Sequence, residues 1–140
     1  MKHHFITIII FVCLLGFQSK AQQNNSWLPA LNNVDGTNVF DGVEAFYSFE
    51  SCGNESYIVI KFINNNNFSV KAIWNHEFVL IDSQSSIIEK DKSELQIAPA
   101  SSISGSCNED LKNLKVKLSD YNINKKNLKT FVANSFELNY

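Results

Sequence analysis

The sequence predicts an all-β fold: an antiparallel β-sandwich of about 7–8 short strands behind a signal peptide. Three observations carry this. Apolar residues recur at a spacing of two, turn residues separate them every 8–12 positions, and no long stretch shows the 3.6-residue period of a helix.

The strands are read in order. Val43, Ala45, Tyr47 and Phe49 alternate with Glu44, Ser48 and Glu50, and Phe46 breaks the pattern. Cys52-Gly53-Asn54 reads as a turn. Tyr57 to Ile63 is almost continuously apolar and β-branched, as in a strand covered on both faces. Asn64 to Asn67 reads as a hairpin loop, because Asn tolerates left-handed backbone angles. A third strand runs through Phe68, Val70, Ala72 and Trp74, and a fourth spans Phe78 to Ile81. Ile87-Ile88 and Leu95 to Ala98 are expected to pair around Asp91-Lys92, with Pro99 ending that piece or placing it on a sheet edge. Leu114, Val116 and Leu118 alternate with Lys115, Lys117 and Ser119. Phe131-Val132 and Phe136, Leu138, Tyr140 come last. The expected core includes Ile58, Ile60, Phe62, Val70, Trp74, Leu80, Val116 and Leu118.

Residues 1–21 have the layout of a cleavable leader. Lys2, His3 and His4 precede an apolar run from Phe5 to Phe17, and Ser19 and Ala21 place small residues at −3 and −1 of a cut before Gln22. A membrane anchor fits less well, because the run is about 13 residues and a spanning helix needs about 20. Cys13 lies inside the apolar run after Phe11-Val12, which does not suit a lipidated cysteine. The expected product is secreted or periplasmic. It comprises an N-terminal extension, residues 22–42, that packs on the domain edge through Trp27, Leu28 and Leu31, and a sandwich domain, residues 43–140.

After that cut the chain keeps 10 Lys against 14 acidic residues, a net charge of 10 − 14 = −4. The acidic balance argues against nucleic acid as a partner. Arg is absent and Asn occurs 18 times. Two cysteines remain, Cys52 and Cys107. An exported even pair suggests one disulfide, the alternative being two free thiols. The bond would close a loop of about 55 residues, worth roughly 4 kcal/mol in the chain-entropy model.

Two features resemble known groups. The Asn-rich, Arg-free composition and a leader ending Ser-Lys-Ala-Gln-Gln resemble secreted proteins of Bacteroidetes-type bacteria. Tyr57–Trp74, read as strand, Asn-rich turn and strand ending in Trp, and Leu95-Gln-Ile-Ala-Pro-Ala-Ser-Ser-Ile resemble immunoglobulin-like accessory domains of secreted bacterial proteins. The resemblance spans residues 43–140 at the level of pattern. It departs from antibody-type domains at Cys52 and Cys107, which sit in turns, in the spacing from Cys52 to Trp74, and at Ser104-Gly105-Ser106, where a tyrosine corner would stand. It implies an immunoglobulin-like sandwich that binds or supports a partner.

Chemistry-bearing motifs are sparse. His76, beside Glu77, reads as a turn or strand-end histidine, since no nucleophile or third partner accompanies it in sequence. One His and two cysteines expected to be bonded to each other cannot make a usual zinc set. Asn32 to Asn38 and Asp41 to Glu44 do not follow the order of a calcium loop. No Ser lies in Gly-x-Ser-x-Gly, and no carboxylate pair is singled out. Ser104-Gly105-Ser106 reads as a flexible turn. Lys112, Lys115, Lys117, Lys125, Lys126 and Lys129 form a candidate partner-binding strip, against the simpler reading of a solvated strand face and turn. Trp27, Tyr47, Phe49, Tyr57, Trp74 and Tyr121 are either core or an exposed binding set.

The expected function is therefore a non-enzymatic exported binding or accessory module, without cofactor, metal or membrane span, whose partner is a protein or a glycan. The alternatives are an exported inhibitor or immunity-type protein and a small carboxylate-dependent hydrolase. An exposed aromatic patch on a flat surface favours the module, a protruding ordered loop the inhibitor, and a concave pocket with converging carboxylates the hydrolase.

Overall fold

A computed structural model describes residues 26–33, 35–82 and 86–140. The expected leader, residues 1–21, and the first residues of the extension lie outside the described residues. Two antiparallel sheets enclose one core. In the first, β3 (Val43–Cys52) and β4 (Glu55–Asn64) form the centre. Two short strands, β1 (Leu28–Pro29) and β2 (Val39–Phe40), share the outer edge of β3. Two more, β8 (Ser101–Ser104) and β9 (Lys115–Lys117), share the outer edge of β4. In the second sheet β5 (Val70–Leu80) is central. The strand β10 (Leu128–Asn139) flanks it on one side, with β6 (Ser86–Ile88) and β7 (Ser93–Ile97) in tandem on the other.

The period-two pattern places side chains as expected over β3: Val43, Ala45 and Tyr47 are buried while Glu44 and Phe46 are half-buried. In β4, Ile58, Val59, Ile60 and Phe62 are all buried, so both faces are covered at its middle. Of the eight expected core residues, seven are buried, and Leu80 is half-buried where β5 ends.

Several local expectations are corrected. The third and fourth expected strands are one continuous strand, β5, which begins at Val70 and leaves Phe68 exposed. Asn64 to Asn67 is not a hairpin loop, because β4 and β5 belong to different sheets. None of these four residues has positive φ. Asn64 is instead buried, and its amide donates to the carbonyls of Phe68 (2.9 Å) and Ala98 (3.0 Å), satisfying backbone groups where the chain crosses between sheets. Ile87-Ile88 and Leu95 do not pair with each other, since β6 and β7 each pair with β5. The strand expected through Leu114, Val116 and Leu118 shrinks to Lys115–Lys117 between two 3-10 turns, with all three apolar residues still buried. Ser104-Gly105-Ser106 is packed. Gly105 is buried, and a Cβ there would lie 2.1 Å from the Leu114 carbonyl oxygen, so only glycine lets the chain after β8 pass beneath this turn.

Short segments close the edges. Leu28 and Pro29 pair with Tyr47 and Phe46. Next to them Ala30 donates to the Ala45 carbonyl and accepts from the Ala133 N–H, so one residue bridges both sheets. Asp41-Gly42 joins β2 to β3 as a two-residue turn with φ of 46° and 78°, both positive, as the tightest hairpins require.

Candidate functional site

Two places on the sandwich gather polar and aromatic groups. The first is one end of the molecule, built by the Asp41-Gly42 turn, the Asn64–Phe68 crossing and Tyr140. The rings of Phe68 and Tyr140 meet edge to face at 5.5 Å and are 45% and 73% exposed. Hydrogen bonds hold this end together. Tyr140 donates to the Asp41 carboxylate (3.0 Å), Asn66 to the Asp41 carbonyl (2.9 Å), and Asn65 to the Glu44 carboxylate (2.9 Å). The Asp41 bond raises the pKa of the Tyr140 phenol, keeping it a donor. A shallow depression of 520 Å³, lined by Asn33, Asp35, Val39, Phe40 and Asp41, continues the surface past Asp41.

The acidic residues here do not converge on one point. Asp35 accepts from the Thr37 N–H and hydroxyl, which hold its carboxyl below the usual range. Asp41 and Glu44 are engaged as above. Among the described residues, the cluster with metal-like spacing is Glu50, Cys52 and Cys107, and its two sulfurs are bonded to each other.

The second place is a crevice of 180 Å³ between the edges of the two sheets. His76 stands at its floor. It is no strand-end histidine: it lies within β5, 5% exposed, against the rings of Trp74 and Phe131. Its neighbour Glu77 is not its partner. Nδ1 meets the Glu89 carboxylate at 2.5 Å, and Nε2 lies 3.5 Å from the Ser93 hydroxyl. The gap between β6 and β7 brings these together. β6 ends at Ile88 and β7 begins at Ser93, and the Asn75 amide donates to the Glu89 carbonyl (3.0 Å) in the intervening loop. Tyr121 lines the same crevice, and burial, with Glu89 close by, raises its phenol's pKa. Burial lowers the His76 pKa, with Glu89 opposing it, so the imidazole is neutral at pH 7.

The six candidate lysines divide. Lys112, Lys115 and Lys117 line the His76 crevice. Two of these are engaged: Lys115 donates to the carbonyls of Cys107 and Glu109, and Lys117 pairs with Glu55 at 3.1 Å. Lys125 lies over the Phe49 ring at 4.7 Å, while Lys126 and Lys129 are exposed. Of the six aromatics read as core or surface, Tyr47 and Trp74 are buried, and Trp27, Phe49, Tyr57 and Tyr121 are half-buried. The rings most open to solvent, Phe68 and Tyr140, were not in that set. Their signal was weak because both fit a period-two strand.

Cys52 and Cys107 are joined, with Cα atoms 5.4 Å apart. No helix among the described residues is long and apolar enough to cross a membrane. Neither a family model, nor a curated protein, nor a solved structure matches the chain.

Proposed function

We propose that the protein is an exported binding module, an immunoglobulin-like accessory sandwich that holds glycan chains at its Phe68–Tyr140 end. The observation that carries this reading is the exposed ring pair fixed beside Asn65, Asn66, Asp41 and Glu44. Sugar rings present C–H faces that stack on aromatic side chains, while their hydroxyls need amides and carboxylates. Two rings amid so many polar groups make a poor protein-docking core, which is larger and depleted of charge. The residues 1–21 pattern and the disulfide support export.

Isothermal titration against α- and β-linked hexose hexasaccharides tests the reading. At least one is expected to bind, and Phe68→Ala or Tyr140→Ala is expected to weaken it by at least about tenfold, or ~1.4 kcal/mol. Absence of binding, or unchanged affinity in both variants, would refute the glycan reading.

A further inference from the structure

His76 is held between a hydroxyl on one ring nitrogen and a carboxylate on the other, at the floor of an open crevice. Burial obliges both ring nitrogens to find partners, and here the partners are a hydroxyl and a carboxylate on opposite sides of the ring. We propose that Ser93, His76 and Glu89 act as nucleophile, base and orienting carboxylate in the hydrolysis of short acyl esters. This goes beyond glycan binding and stands on a different surface.

The parts are placed by the sheet. Ser93 pairs opposite Trp74 in the ladder, which puts its side chain on the same face of the sheet as Trp74 and His76. Glu89 receives the Nδ1–H, fixing the tautomer that leaves the Nε2 lone pair toward Ser93. Tyr121 lines the same crevice beside that carboxylate. The rings of Trp74 and Phe131 confine the imidazole. The 3.5 Å separation of Nε2 and the Ser93 oxygen is the loose spacing common before substrate enters.

The chemistry balances without a further reactant except water. The Ser93 oxygen bonds to the ester carbonyl carbon, its proton passes to Nε2, and the carbonyl electron pair moves onto oxygen. Collapse breaks the bond to the alkoxide, which leaves with the proton from Nε2. Water then attacks the acyl-Ser93 by the same route and releases the acid. Lys112, which lines the crevice, supplies positive charge for the oxyanion. A volume of 180 Å³ suits an acetyl-sized acyl group.

The test is active-site labelling of the folded full-length protein with an alkyl fluorophosphonate, read by peptide mass spectrometry. Ser93 is expected to be phosphonylated faster than every other serine, and Glu89→Gln to slow this at least about tenfold, with p-nitrophenyl acetate turnover falling in parallel. His76→Gln can unfold a buried position, so Glu89→Gln, checked by its circular dichroism, carries the comparison. The labelling rate should fall as acid protonates His76, with a midpoint below the usual histidine value. Glu89, Tyr121, Asp120, Lys112, Lys115 and Lys117 share the crevice, and in Glu89→Gln the midpoint should move, because His76 loses its carboxylate. Labelling of Ser93 no faster than in urea-unfolded protein, or an unchanged rate in a folded Glu89→Gln, would overturn the proposal.

Discussion

Trp74→Ala is expected to cost the domain about 3–5 kcal/mol, the usual range for removing a large buried aromatic ring. Trp74 is fully buried in β5 and packs at 4.8 Å on Phe62 of β4, so its ring joins the two sheets directly. Phe62 in turn stacks on Phe136 of β10 at 5.8 Å. Truncation opens a void at the centre of this stack, and neighbours fixed in ladders can collapse into it only partly. Domains of this size are stable by about 5–15 kcal/mol in all, so a large part of the total is at stake. Urea unfolding followed by fluorescence checks this: the midpoint should fall while the slope stays near that of the parent. A midpoint within error of the parent would mean that the two sheets do not meet through this ring.

Reduction of Cys52–Cys107 is expected to have an effect of similar size. The bond ties the end of β3 to the segment between β8 and β9, across a sequence separation of 55 residues. Opening a loop of that length restores about 4 kcal/mol of chain entropy to the unfolded state. At a few degrees per kcal/mol, the melting temperature should drop by roughly 15 °C. Cys107→Ala should reproduce the drop, and reductant should then add nothing. Equal melting curves with and without reductant in the parent protein would contradict this. The loss acts through the unfolded chain, so it should add to that of Trp74→Ala rather than overlap it.

The sandwich was legible because each central strand buries at least one face, and burial of one face writes alternation into sequence. Val43, Ala45, Tyr47 and Val70, Ala72, Trp74 are that signal. Pairing was not legible. Ile87-Ile88 and Leu95 look like two arms of a hairpin, yet the length of β5 lets both lie along one edge. The crossing at Asn64 was misread because sequence shows that Asn is turn-prone but not whether its amide is buried. The His76 crevice was hidden for a related reason. Its members lie 13 and 17 residues from His76, and a break in an edge strand brings them together. The adjacent Glu77 was the visible carboxylate and the wrong one. The lysines formed a strip in sequence, but the fold sends some to the crevice and one over Phe49. Phe68 and Tyr140 could not be separated from core aromatics by period alone, because Phe68 keeps the spacing of β5 one step before the strand begins.

The proposed binding role presupposes export, which would also account for the disulfide, and the intact mass of the natively produced protein, taken without reductant, tests export most directly. The expected species is a chain beginning at Gln22, two hydrogens lighter than its reduced form, with no thiol that iodoacetamide can alkylate before unfolding and reduction. A chain that retains residues 1–21, or one that takes up two alkyl groups without reduction, would contradict it.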